Sequence, residues 1–250
     1  MNLLLLNPNT TASMTQAMTE AARRIARPGT VITGVQPSFG PASIEGHHDE
    51  VIAAAGVLEQ VRQAGDTADA IIVACFGDPG LDGAREATRA PVLGIAEAAF
   101  HVASFVATGF SVVTTLTRTC VIAEHLLWKY GYERRCRGVH GTDIPVLALD
   151  DDGGLACLPP LEAACRSALV RDRSGAIVLG CGGMAAVCQT LQQRLGVPVI
   201  DGVSAAVALA EALVQLGLQT SALGDYARPL PKAYAGWAAP LGWPRDGGPA

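Results

Sequence analysis

The sequence predicts an α/β fold: two pseudo-symmetric, parallel-sheet (flavodoxin-like) lobes from an internal duplication, facing each other across a cleft. Three observations carry this. Short apolar runs alternate with helix-length stretches along most of the chain, the pattern of parallel βα units. Two of those runs, IIVACFGDPGL at 71–81 and AIVLGCGGM at 176–184, end alike, in a cysteine followed by a glycine-rich turn. The halves also align at a nearly constant shift: Cys75 and Cys181 stand 106 positions apart, Pro91 and Pro198 107, Asn7 and Thr115 108. Within that register APVLGIAEAA (90–99) matches VPVIDGVSAA (197–206), the mark of a doubled module.

Taken in order, the chain opens with a strand at Asn2–Leu6. Asn7-Pro8-Asn9-Thr10-Thr11 then supplies N-cap chemistry for a helix at Met14–Ile25, so Asn7 and Thr10 suit capping as well as ligand binding. Val31–Val35 is a strand, 39–46 a loop, and Asp49–Ala64 a helix with Val51, Ala54, Leu58 and Val61 on one face. Ala70–Cys75 is a continuous β-branched run, as a strand buried on both faces requires. A helix at Leu81–Thr88, a strand at Val92–Ile95 and a helix at Glu97–Ala107 complete the first half. The second half gives a strand at Phe110–Thr114, a helix at Thr119–Tyr130 and, after an irregular stretch, a strand at Val146–Leu149. An acidic loop (150–154) leads to a helix at Pro160–Arg171, a strand at Ala176–Leu179 and a helix at Met184–Leu195. Pro198–Ile200 is the last strand and Ser204–Leu216 the last helix. The tail, 218–250, is rich in Pro, Gly and Ala and reads as irregular, with its tryptophans docked, on a neighbouring subunit for instance.

Half of the 250 residues are apolar and 16% are charged, ample for a large buried core. A net charge of −5 without a basic block argues against a nucleic-acid partner. The run MNLLLL is too short for a signal peptide, and no window approaches the roughly 20 apolar residues of a membrane span. The expectation is a soluble, cytoplasmic protein with no membrane contact. Seven scattered cysteines without a CxxC or CxxH pair suggest neither a disulfide framework nor a zinc site. Cys120, Cys136, Cys157, Cys165 and Cys188 read as small buried hydrophobes. His47-His48-Asp49-Glu50 reads as a surface loop, because neighbouring helical residues do not share a face as metal ligands must.

Cys75 and Cys181 are different: equivalent strand ends in two facing lobes place them on opposite walls of one cleft. Inverting a carbon centre needs a proton taken from one face and another delivered to the opposite face. Two thiols can do that as general base and general acid, exchanging roles with substrate handedness. Each precedes an expected helix, whose N-terminus would favour the thiolate. Gly77 and Gly182-Gly183 leave backbone N–H groups open beside the thiols to hold an enolate oxygen. Thr114, Thr115, Thr117 and Asn7 reach the same rim and are candidate anchors for a small polar ligand.

NPNTTASMT at the start, GPASIEG at 40–46, ACFGDPGL around Cys75, VVTTLTRT at 112–119 and LGCGGM around Cys181 together resemble the hydantoin and allantoin racemases of the aspartate/glutamate racemase superfamily. The resemblance covers about residues 1–217. It implies two similar α/β lobes, an active site between them, a small-molecule substrate, no metal or organic cofactor, and a homo-oligomer. It makes Cys75 and Cys181 the acid/base pair, with Ile44, Phe76, Thr114, Thr115, Thr117 and Gly182 lining the ligand site and Asn7 close by. It also suggests that the last helix crosses back, so that lobe one is 1–97 plus about 204–217 and lobe two is 98–203. Free amino-acid racemases of the superfamily follow their cysteines with Asn-Thr and Thr-His. Phe76-Gly77 and Gly182-Gly183 stand there instead, which favours a neutral hydantoin-like ring over a zwitterion. The rival readings are a decarboxylase or cis–trans isomerase of small dicarboxylates on the same fold, and a non-catalytic small-molecule-binding protein.

Overall fold

The computed structural model describes residues 1–149 and 151–243. Strands β1 (Asn2–Leu6), β2 (Val31–Val35), β3 (Ala70–Val73) and β4 (Val92–Gly94) form a parallel sheet in the order β2-β1-β3-β4. Strands β5 (Phe110–Thr114), β6 (Cys136–Gly141), β7 (Ala176–Gly180) and β8 (Val199–Asp201) form a second, in the order β6-β5-β7-β8. The two orders are the same, as a doubled module requires. The connecting helices are α1 (Ala12–Ile25), α2 (His47–Ala64), α3 (Leu81–Ala87), α4 (Ile95–Val106), α5 (Cys120–Tyr130), α6 (Leu158–Asp172), α7 (Cys188–Leu195) and α8 (Gly202–Gln215). No helix among the described residues is long and apolar enough to cross a membrane.

The period-two alternation of the strands sorts their side chains between faces. Leu4 and Leu6 of β1, with Ile71 and Val73 of β3, turn toward Val57 and Val61 of α2. Leu3, Leu5 and Ile72 turn the other way, into a cluster that also holds Phe110 and Val112 of β5 and Val178 of β7. One core therefore runs through both sheets. Its middle layer is α4 and α8, which pack on each other: α4 also touches β7 and β8, and α8 touches β3 and β4. Each helix thus follows the last strand of its own half and packs on the other half's sheet. Their approach is close enough to need glycine at 202, where a Cβ would lie 2.4 Å from the Ile95 carbonyl oxygen.

Four expectations are corrected here. Val146–Leu149 is a 3₁₀ turn, and the edge strand is Cys136–Gly141 in the stretch expected to be irregular. Arg137, Gly138 and His140 give that half-exposed strand no apolar run, while Val146 and Leu149 are apolar because they are buried at the lobe's end. On α2 the buried face is Ala53, Gly56, Val57 and Val61, and Val51 is 70% exposed. The helix expected from Met184 is a 3₁₀ turn over Gly182–Val187 before α7 begins. The acidic loop is a 3₁₀ turn over Asp151–Cys157, apart from residue 150, which lies outside the described residues.

The tail docks on its own chain. Its 3₁₀ turns at Gly224–Tyr226 and Gly236–Leu241 lie against α3 and α2. Trp237 meets Phe39 edge-on at 6.1 Å, and the Arg62 guanidinium stands 5.5 Å from the ring of Trp243. Residues 244–250 are outside the described part.

Candidate active site

Both cysteines leave the carboxyl edge of a central strand, where open α/β sheets bind ligands. Cys75 follows β3 and Cys181 follows β7, and the two turns repeat each other. The Asp78 N–H donates to the Cys75 carbonyl at 3.0 Å and the Met184 N–H to the Cys181 carbonyl at 3.1 Å. The Gly77 N–H points to the Cys75 sulfur, and the Gly183 N–H to the Cys181 sulfur. Both thiols open into one cavity between the sheets.

The first turn is anchored by Asp78, whose φ of +45° is one of three positive values outside glycine among the described residues. Its buried carboxylate accepts from the N–H of Ala96 (3.1 Å) and of Glu97 (3.0 Å), and from the Tyr130 hydroxyl (2.9 Å). It thereby caps α4, and Gly94 leaves the room: a Cβ there would meet the Asp78 carboxyl carbon at 2.2 Å. The second turn presses on the first lobe at Gly182, where a Cβ would lie 2.6 Å from the Met18 sulfur and 3.1 Å from the Ala74 oxygen.

Of the residues singled out in the sequence, Asn7, Ile44, Phe76, Gly77, Thr114, Thr115, Gly182 and Gly183 line the cavity with the two cysteines. Thr117 does not: it is exposed, and its N–H and hydroxyl donate to Asp143 at 2.9 and 3.1 Å. The Asn7 side-chain amide is spent on Asn9 (2.8 Å), the Thr15 hydroxyl (3.0 Å) and the Thr11 carbonyl (3.3 Å). Thr114 gives its hydroxyl to the Gly180 carbonyl at 2.8 Å, so of this pair the Thr115 hydroxyl is the one without a partner among the described residues. Asn9, Glu50 and Thr119 also line the cavity and were not anticipated. Among the described residues the Asn9 amide nitrogen meets only the Met14 sulfur, at 3.6 Å, in the wall of the cavity. His47-His48-Asp49-Glu50 is the first turn of α2 rather than a loop, and this carries Glu50 inward.

Burial dominates the electrostatics. It pushes the Cys75 thiol well up, against the Gly77 N–H, and Cys181, Glu50 and Asp78 nearby add to the rise. Burial pushes Cys181 up to about 11, against the Gly183 N–H. The expectation that helix N-termini would favour the thiolates is therefore corrected. The helix field fades within a turn and α3 starts only at Leu81, while at Cys181, directly before the 3₁₀ turn Gly182–Val187, burial outweighs it. Glu50 is also raised by burial, in part offset by His47, whose ring nitrogen lies 3.1 Å from its Oε2, and by His125. His47 and His125 stack at 5.9 Å, joining α2 to α5 across the cleft. Among the described residues no three His, Cys, Asp or Glu side chains gather as a metal ion would need.

A solved allantoin racemase from Klebsiella pneumoniae is 53% identical, with a TM-score of 0.93 over 96% of this chain and 98% of that one. The allantoin racemase from Pseudomonas fluorescens is 42% identical, with a TM-score of 0.91 over 94% of this chain and 100% of that one. A hydantoin racemase from Rhizobium meliloti is 46% identical over 240 residues, 94% of this chain and 98% of its own. The model of the Asp/Glu/Hydantoin racemase family matches residues 3–210. The enzyme is an isomerase, a racemase, and the chain belongs to the Asp/Glu/Hydantoin racemase family.

Proposed function

We propose that this racemase acts on a neutral hydantoin-type ring, allantoin or another 5-substituted hydantoin, by passing a proton between Cys75 and Cys181. One cysteine, as thiolate, takes the ring C–H beside the carbonyl. The electron pair moves into the carbonyl to give an enolate, and the other thiol returns a proton to the opposite face. The sulfurs end with their protonation states exchanged, ready for the other enantiomer. The N–H groups of Phe76 and Gly182, the residues after each cysteine, have no backbone partner among the described residues, which supports them as donors to the enolate oxygen. Donors of this kind contribute about 3 kcal/mol each. Every proton acceptor and donor in this scheme belongs to the chain, so it calls for no cofactor.

The observation that carries the reading is the matched pair of cysteine turns opening into one cavity. The lining supports a neutral substrate. Glu50 is its one carboxylate, and no lysine or arginine stands beside it among the described lining residues. A dicarboxylate would meet repulsion there without compensation, which weighs against the decarboxylase and cis–trans isomerase readings. The test is exchange in deuterated water with Cys75→Ser and Cys181→Ser. Racemisation should fall by about 10²–10⁴-fold in each, while each variant still exchanges the ring proton of a single, opposite enantiomer. Full racemisation by both variants would remove the two-thiol mechanism. Polarimetry with allantoin, 5-benzylhydantoin, aspartate and glutamate tests the substrate class.

A further inference from the structure

The proton transfer just described leaves one charged lining group without a task. Glu50 sits in the first turn of α2 with its side chain 18% exposed. His47 holds Oε2, while Oε1 has no hydrogen-bond partner among the described residues. That free oxygen lies against the turn that carries Cys75: a Cβ on Gly77 would come within 2.2 Å of it. A carboxylate oxygen is thus aimed into the cavity beside a reacting thiol, and Ile44, Phe76, Ile122 and Ala123 supply apolar wall in the same cavity.

Such an oxygen accepts hydrogen bonds and offers none while ionised. A bound ligand that shields it from water must give it an N–H or leave it desolvated and unpaired, at a cost. We infer that Glu50 determines substrate preference by accepting the N–H groups of a ureido arm on the ring, so that the enzyme favours ureidohydantoins of the allantoin type over 5-alkyl and 5-aryl hydantoins. The inference rests on the hydantoin reading of the site. It adds a named residue and a direction of selectivity. The preference has a repulsive half as well as an attractive one: an alkyl arm in the same place covers the carboxylate without pairing it.

The experiment compares kcat/KM for allantoin and for 5-methylhydantoin, followed by circular dichroism, on the full chain and on Glu50→Gln and Glu50→Ala. The quantity read is the ratio of the two values within one preparation, which a partly unfolded variant cannot distort. The ratio should fall by about tenfold or more in both variants, on the scale by which polar sites reject analogues lacking the matching group. An unchanged ratio overturns the inference; where both values fall together, Glu50 acts on the shared ring rather than on the arm. A wild-type enzyme that racemises neither compound instead defeats the hydantoin reading itself, a distinct result.

Discussion

A thiol at the end of a buried strand resists ionisation, and that decides how this site responds to pH. Cys75 is raised well above the ordinary thiol value and Cys181 to about 11, so both are protonated at neutral pH. The proposed reaction needs one thiolate and one thiol. Raising the pH multiplies the small thiolate fraction of the first sulfur about tenfold per unit, so kcat/KM should climb by about that factor per unit between pH 7 and 9. It should turn down only where the second thiol is lost. A pH–rate profile checks this, and a flat profile over that range contradicts it. At this scale the sequence was informative about placement, where a residue's position on a strand end brings it to the cavity. Cys75, Cys181, Phe76 and the glycines are of that kind. Glu50 was not legible, because HHDE looks like a solvated surface until α2 is laid against the Cys75 turn. Thr117 fails for the opposite reason. It stands in a run of threonines at the right edge, but Asp143 draws it outward.

Among the elements, the Cys75 turn is joined to α4 and α5 through a single buried carboxylate. Burial raises Asp78 to about 7, against the two α4 N–H groups and the Tyr130 hydroxyl. An unfolded aspartate titrates near ~3.9. The fold therefore binds a proton that the unfolded chain has released, and stability from this group is full below about pH 4 and lost as pH rises through about 7. Glu50 and Asp201 are raised as well and act in the same direction. The test is accordingly a difference: Tm should fall less steeply from pH 5 to 8 in Asp78→Asn than in the wild type. Equal slopes would mean that Asp78 carries no such proton. The elements themselves were readable wherever an apolar run coincides with burial on both faces, as in β3, β5 and β7. The reading failed at β6, a half-exposed edge with polar residues, and at Val146–Leu149, whose apolarity serves a tertiary contact. It also failed on α2, where Gly56 faces inward because a Cβ there would meet Pro37 at 2.9 Å, and an apolar count cannot credit a glycine.

At the scale of the molecule, the doubling of the module was visible in the register of the two halves, whereas the crossing of the last helix to the first lobe came from the family resemblance and not from the residue pattern. Helix order follows from the sequence, whereas the sheet that receives each helix depends on which apolar faces meet. The answer here is an exchange: α4 and α8 each pack on the other half's sheet, and one core results. Phe100 of α4 shows how tightly that core is shared. It is fully buried, stacks on Phe110 of β5 at 5.7 Å, meets Phe76 of the Cys75 turn edge-on at 5.6 Å and approaches Tyr130 of α5 at 6.4 Å. Replacing it with alanine should cost about 3–5 kcal/mol, a large share of the ~5–15 kcal/mol that holds a typical domain. Because the cavity left behind belongs to both halves, neither should outlast the other. Urea unfolding followed by far-ultraviolet circular dichroism and by tryptophan fluorescence checks this, since Trp128 reports on the second half and Trp237 and Trp243 on the first. The two signals should share one midpoint in the wild type and move together in Phe100→Ala. Separate midpoints would mean that each sheet folds on its own, and the shared core would then be a contact between finished lobes rather than the thing that forms them.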